Sequence, residues 1–330
     1  MNIEVPTGPV TYIDAIRQAM LEEMHRDENV FLIGEDIANF GGAFKATKGL
    51  VDIFGPQRVI DTPIGESGIL GLSIGASMMG MRPIAEMQFA DFVTCGYTQL
   101  VEQAAKNHYR WGQANPIVVR LPSGGGLGAG PFHSCNPEAW FLNIPGLKMV
   151  APSTPNDARG LLKAAVRDNN PVLFLEHKFL YRRAKDVLTP GDDIVPIGKG
   201  KVVRSGRDLT IVTYHSMVQF SVEAADELAA EGFDIEVIDL RSLVPWDKEL
   251  VQESVSRTNR VLIVHEATRT GGYGAEIAAT IAEENFKDLD APVARVASID
   301  TPVPFAPPLE KYFLPNKDKI AAKARELLEF

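Results

Sequence analysis

The sequence predicts an α/β protein of two domains with mainly parallel sheets, and three observations carry that prediction. Short apolar runs alternate with amphipathic helical stretches, the pattern of sheets covered by crossover helices. The chain has 330 residues, whereas single cores rarely grow past roughly 250. Between Lys178 and Gly200 the text turns charged and is punctuated by proline and glycine, the composition of a linker with few packing partners.

Taken in order, Ile13, Ile16, Met20 and Met24 recur at helical spacing behind Thr11, whose hydroxyl suits a helix start. Buried strands are predicted at Val30–Ile33, Arg58–Asp61, Pro83–Met87, Ile117–Leu121, Lys148–Ala151 and Val172–Glu176, making one doubly wound domain. The helical stretch Ile69–Met79 and its flank carry Gly71, Gly75 and Gly80. Glycine costs up to about 1 kcal/mol of helix propensity per residue, so a closely packed neighbour is expected there. Beyond the linker, strands at Leu209–Tyr214, Ile235–Leu240, Val261–His265 and Val293–Ile299 alternate with helices at Val218–Glu231, Lys248–Arg257, Gly274–Phe286 and Asp318–Leu328. There is no short-period repeat and no low-complexity tract.

Hydrophobic content of 45% with 23% charged residues is that of a folded globular chain. The net charge of −10 repels phosphate backbones and anionic lipids, and the sequence shows no local basic cluster. Nucleic-acid and membrane partners are set aside. No apolar run approaches the roughly 20 residues of a bilayer span, and the start MNIEVPTGPVTYIDAIRQ lacks an apolar signal core. The expected location is the cytoplasm, or the mitochondrial matrix in a eukaryote. Cys95 and Cys135, the two cysteines, argue against a disulfide framework and form neither a CxxC nor a zinc spacing.

Three segments could carry chemistry. The run Ser123-Gly-Gly-Gly-Leu-Gly-Ala-Gly-Pro131 lacks the register of a dinucleotide fingerprint, since Pro131 stands where the third glycine belongs. It reads instead as a flexible or tightly turned loop bordering a site. Asp61-Thr-Pro-Ile-Gly-Glu66-Ser-Gly places a carboxylate at a helix start, where the helix dipole alone suffices to favour it and a catalytic role is the lesser alternative. His133 follows the glycine-rich run and is either structural or, on a mobile loop, able to reach a ligand. A His133–Cys135 nucleophile pair is disfavoured by the two-residue spacing.

Read together, these segments resemble the beta subunits of pyruvate, branched-chain 2-oxo acid and acetoin dehydrogenases along essentially the whole chain. The matching stretches include Gly34-Glu-Asp, Gly41-Gly-Ala-Phe, Phe54-Gly-Pro-Gln-Arg-Val-Ile-Asp-Thr-Pro, Arg82-Pro-Ile-Ala-Glu-Met-Gln-Phe-Ala-Asp-Phe, Ile238-Asp-Leu-Arg-Ser-Leu-Val-Pro-Trp and Asp300-Thr-Pro. The resemblance implies a doubly wound pyrimidine-type thiamine-diphosphate-binding domain over residues 1–190 and a transketolase C-terminal-like α/β domain over 191–330. It also implies assembly with alpha subunits as an α2β2 heterotetramer that serves a lipoyl acyltransferase component. Glu66 then falls on the carboxylate that bonds the cofactor's pyrimidine ring nitrogen and so promotes proton loss at the thiazolium carbon. Phe92 matches the aromatic position against that ring, and Gln88 a polar contact. His133 matches the histidine facing the 2-oxo acid substrate and the incoming lipoyl group. Ile117, Ala165, Val166, Asp168 and Asn170 match positions that bind a structural potassium ion, largely through backbone oxygens. Gly65 departs from the small hydroxyl residue usual before the catalytic glutamate.

Thiamine enzymes hold Mg2+ and the diphosphate with a Gly-Asp-Gly segment and a later asparagine, because a hard cation wants oxygen ligands. This chain has no such segment, so both fall to the alpha subunit. That absence counts against a self-contained transketolase-like enzyme. A non-catalytic assembly subunit would not need Glu66, Phe92 and His133 together. Substrate cues conflict: the segments at Gln88 and His133 look branched-chain-like, those at Gly271 and Thr301 acetoin- or pyruvate-like.

Overall fold

The computed structural model describes residues 4–330. The chain forms two compact units: the residues up to Ser123 with Phe141–Ile197, and Gly124–Trp140 with Gly198–Phe330. The expected break after residue 190 kept the glycine-rich segment in the first domain. In the structure that segment groups with the second unit, whose side chains bond its backbone amides.

In chain order the first unit comprises β1 (Pro9–Thr11), α1 (Tyr12–Arg26), β2 (Val30–Gly34), α2 (Leu50–Phe54), β3 (Val59–Asp61), α3 (Glu66–Met78), β4 (Arg82–Glu86), α4 (Ala105–Trp111) and β5 (Val118–Ser123). After the glycine-rich segment and the one-turn α5 (Glu138–Phe141) come β6 (Lys148–Val150), α6 (Pro155–Arg167), β7 (Val172–His177) and β8 (Lys185–Val187). Six of its strands run parallel in the order β6-β7-β5-β4-β2-β3. β2, β5 and β7 are buried along their whole length, as expected of strands covered on both faces, which read as continuous apolar runs rather than alternations. Thr11 and Thr154 cap α1 and α6 by accepting the N–H of Asp14 and Asp157. The two helices pack together, burying Ile13, Ile16, Met20 and Met24 beside Ala158, Leu161, Leu162 and Ala165.

One expectation is corrected. The stretch after Lys178 is no loosely packed linker: Leu180, Tyr181, Ala184 and Val195 enter the core of the first unit, and β8 pairs antiparallel with β1. Its charged residues point outward between these anchors, which gave the sequence its linker-like look. The glycines of α3 have no close neighbour within the described residues. A Cβ built at Gly68, Gly71 or Gly75 touches nothing within 4 Å among the described residues, and Leu72, Met78 and Met79 beside them are exposed. The tight contact on this helix is made from the other side, where Gly96 packs so closely that a Cβ would lie 2.3 Å from Leu70 Cδ1.

The second unit comprises β9 (Lys201–Arg204), β10 (Leu209–Thr213), α7 (Met217–Ala229), β11 (Ile235–Asp239), β12 (Ser242–Val244), α8 (Lys248–Thr258), β13 (Val261–Thr268), α9 (Gly274–Glu284), β14 (Ala294–Ser298), α10 (Pro307–Phe313) and α11 (Lys317–Leu328). Its sheet runs β14-β13-β10-β11-β9, parallel except for β9 at the edge. α7 and α11 share its core through Ala224, Ala225, Leu228, Ile320, Ala324 and Leu327. Among the described residues no helix is long and apolar enough to cross a membrane.

Candidate active site

In a parallel α/β sheet the loops at the carboxyl ends of the strands form the natural binding crevice, and three candidates of the first unit stand there. β3 ends at Asp61, a four-residue turn follows, and Glu66 opens α3. The turn is tied to the neighbouring strand: Thr62 N–H donates to Gly34 O at 3.0 Å, and Gly65 N–H donates to Glu35 Oε1 at 3.3 Å. Gly65 has extended backbone and open space at its Cα, so nothing among the described residues demands glycine there. Glu66 is 9% exposed, and its carboxylate has no hydrogen-bond partner among the described residues. The residue is packed in, yet its carboxylate oxygens reach open space rather than the closed interior, and the helix start favours their charge. That combination suits a group waiting for a ligand's donor.

Gln88 and Phe92 follow the end of β4 and are half-buried. Phe92 meets Phe89 edge to face at 5.9 Å between centroids, and Phe89 in turn meets Phe44 at 5.4 Å. The turn Ala90–Gly96 that carries Phe92 packs on α3, with Gly96 close to Leu70 and to Glu66 O. The Gln88 amide makes no hydrogen bond among the described residues. An unbonded carboxylate, an unbonded amide and an aromatic wall could together hold a planar nitrogen heterocycle.

Sequence reading missed the charged groups behind this edge. Arg120 on β5, 1% exposed, grips Glu176 of β7 through Nε at 2.6 Å and Nη2 at 2.9 Å, and its Nη1 bonds Glu86 at the end of β4. Tyr181 donates its hydroxyl to Glu176 at 2.7 Å. Burial pushes the Glu86 carboxyl above its ordinary range, with Arg120 working against that rise. Burial and the Glu176 charge likewise push the Tyr181 phenol well up. The signal was legible: a charged residue interrupts or ends each of three apolar strands.

His133 belongs to the second unit. It is half-buried, and its N–H donates to Gly130 O at 3.4 Å. Of the two readings of the loop before it, flexible or tightly turned, the structure shows the second: Gly124, Gly126, Gly128 and Gly130 have left-handed φ, and Gly125, Gly126 and Gly128 donate their N–H groups to Glu266 and Glu310.

Of the five expected cation ligands, Ala165, Val166, Asp168 and Asn170 follow closely in sequence around the end of α6, and Ile117, just before β5, accepts the N–H of Val172 at 2.9 Å. Arg82 Nη1 already donates to Val166 O at 2.9 Å and to Asp168 O at 3.0 Å. Burial would raise the Asp168 carboxyl, but bonds from Lys148 and Asn170 outweigh it and hold the group below its ordinary value. Among the described residues no three His, Cys, Asp or Glu side chains group to hold a metal ion.

A mainly parallel α/β unit with a crevice at the carboxyl ends of its strands, together with a second mainly parallel α/β unit, defines a transketolase-type chain. Residues 8–184 match the transketolase pyrimidine binding domain and residues 198–320 the transketolase C-terminal domain. A split gene transketolase, solved as an inactive beta4 tetramer, shares the fold with a TM-score of 0.81 at 23% identity, covering 98% of this chain and 99% of that one. The chain is 52% identical over 326 residues to the 2-oxoisovalerate dehydrogenase subunit beta of Bacillus subtilis, covering 97% of this chain and 99% of that relative. It is 43% identical to the pyruvate dehydrogenase E1 component subunit beta-2, mitochondrial, of Oryza sativa subsp. japonica, covering 96% and 85% respectively. The chain belongs to the family of 2-oxo acid dehydrogenase beta subunits.

Proposed function

We propose that this chain, in an α2β2 tetramer with an alpha subunit, carries out thiamine-diphosphate-dependent oxidative decarboxylation of a branched-chain 2-oxo acid and passes the acyl group to a lipoyl domain. The observation that carries the reading is the unbonded Glu66 carboxylate, on a residue only 9% exposed, at the edge where Gln88 and Phe92 also stand. The branched-chain choice is supported by 52% identity to a subunit named for 2-oxoisovalerate, against 43% to one named for pyruvate. When bound, thiamine diphosphate supplies the electron sink that decarboxylation requires. Glu66 holds a proton at the pyrimidine ring nitrogen, Phe92 backs the ring, and Gln88 offers its amide. His133 holds a proton for the incoming lipoyl sulfur. Mg2+ and the diphosphate fall to the alpha subunit, and the assembly works in the cytoplasm or the mitochondrial matrix.

The test is co-expression with the cognate alpha subunit, followed by assays of 2-oxoisovalerate, pyruvate and acetoin with a lipoyl domain. The isolated chain should be inactive, and the tetramer should prefer 2-oxoisovalerate. Robust turnover by the pure chain would defeat the subunit reading, and a preference for pyruvate or acetoin the substrate choice. The residues Ile117, Ala165, Val166, Asp168 and Asn170 are read as a potassium site that requires Arg82 to yield two carbonyl oxygens. A melting temperature that rises in potassium over tetramethylammonium at equal ionic strength supports that site, and equal values oppose it.

A further inference from the structure

The glycine-rich loop is held by its backbone, and we infer that Glu310, seconded by Glu266, is a positioning residue that sets the approach of His133. Glu310 lies on α10 and is 5% exposed, yet no cation pairs with it among the described residues. Its Oε1 accepts the Gly126 N–H at 2.8 Å and its Oε2 accepts the Gly128 N–H at 3.0 Å. Glu266 on β13 accepts the Gly125 N–H at 2.7 Å and the Asn136 side-chain amide at 3.0 Å on Oε1, and the Ser216 hydroxyl at 3.2 Å on Oε2. Beyond His133, Tyr214 donates its hydroxyl to Glu138 at 2.7 Å. The loop is therefore fastened at residues 125, 126 and 128 before His133, and at 136 and 138 after it.

The arrangement is more than loop packing. A buried carboxylate without a cation is costly, and charge-assisted bonds to two amides offset that cost only if both amides converge on it. Left-handed φ values of 87° at Gly126 and 67° at Gly128 produce that convergence. A surface loop that merely connects two elements is ordinarily left to solvent. Glu310 instead spans 184 and 182 residues of sequence to reach this one.

The inference rests on the reading of His133 as proton donor during acyl transfer, and it is tested in the α2β2 holoenzyme with Glu310→Gln and Glu310→Ala. Glutamine keeps one acceptor oxygen and alanine keeps none. Hydrogen exchange of the 124–134 peptide should quicken in Glu310→Gln and more in Glu310→Ala. Reductive acylation of the lipoyl domain should fall in kcat in the same order, by about tenfold or more in the alanine variant. The KM for the 2-oxo acid should hold, and decarboxylation with an artificial electron acceptor should fall less. If alanine prevents assembly, Glu310→Gln alone decides. Unchanged exchange overturns the inference, and so does faster exchange with acyl transfer at the wild-type rate while His133→Ala slows it. A silent His133→Ala overturns the reading of His133 itself and takes the inference with it.

Discussion

The Glu35 carboxylate accepts the Gly65 N–H, joining the exit of β2 to the residue just ahead of Glu66. Burial pushes the Glu35 carboxyl above its ordinary range; the bond from Gly65 opposes this, and the charges of Glu66 and Asp36 add to it. A carboxyl raised on folding binds its proton more tightly in the native state, so stability present at low pH is lost as pH rises through the native value. Glu35→Gln removes that loss while keeping an acceptor for Gly65. The melting temperature of the variant relative to wild type should therefore climb as pH rises through and above the ordinary carboxylate range. A difference that stays flat across that range would show that the group does not titrate as argued.

Glu66→Gln should preserve the tetramer and much of the cofactor affinity, because the side chain is nearly isosteric. Turnover should drop by about 10² to 10⁴, the usual worth of a positioned proton-transfer group. The same drop should appear in hydrogen–deuterium exchange at the thiazolium carbon of bound cofactor. Exchange at the wild-type rate would return Glu66 to the role of a first-turn carboxylate.

His133→Ala should retain measurable decarboxylation with an artificial electron acceptor while losing reductive acylation of the lipoyl domain by about 10² or more. Melting temperature and cofactor affinity serve as controls. Both half-reactions falling together with a lower melting temperature would mark a structural histidine.

Arg120→Met should leave Glu86 and Glu176 facing each other without a cation, at a cost of about 3–5 kcal/mol. Urea denaturation of the folded chain measures it. A loss below about 1 kcal/mol would mean that the carboxylates find protons or other donors and that the guanidinium is replaceable.

Much of the fold is legible in the sequence, for reasons that differ by element. The runs at Val30, Ile117 and Val172 were legible because strands buried on both faces carry unbroken apolar text. The stretch Ala90–Trp111 was not, since it passes from a tight turn through a wide one before settling into α4, and no single period runs through it. Glu66 showed itself by standing at a strand–turn–helix junction. The bonds from Glu310 and Glu266 to the glycine loop stayed hidden because their partners lie more than 140 residues away. Nothing in the local pattern around either glutamate marks it.

The loop before His133 is recognised through amide hydrogens rather than side chains, and this sets what its sequence may become. Leu127 lies between the two anchored glycines and is 48% exposed, so its identity is free to drift without unfastening anything. Proline at position 126 or 128 is another matter. It would bring no bulky group into a core, yet it would delete the one hydrogen that each position contributes. Glu310 would then keep its burial and lose its reason for it.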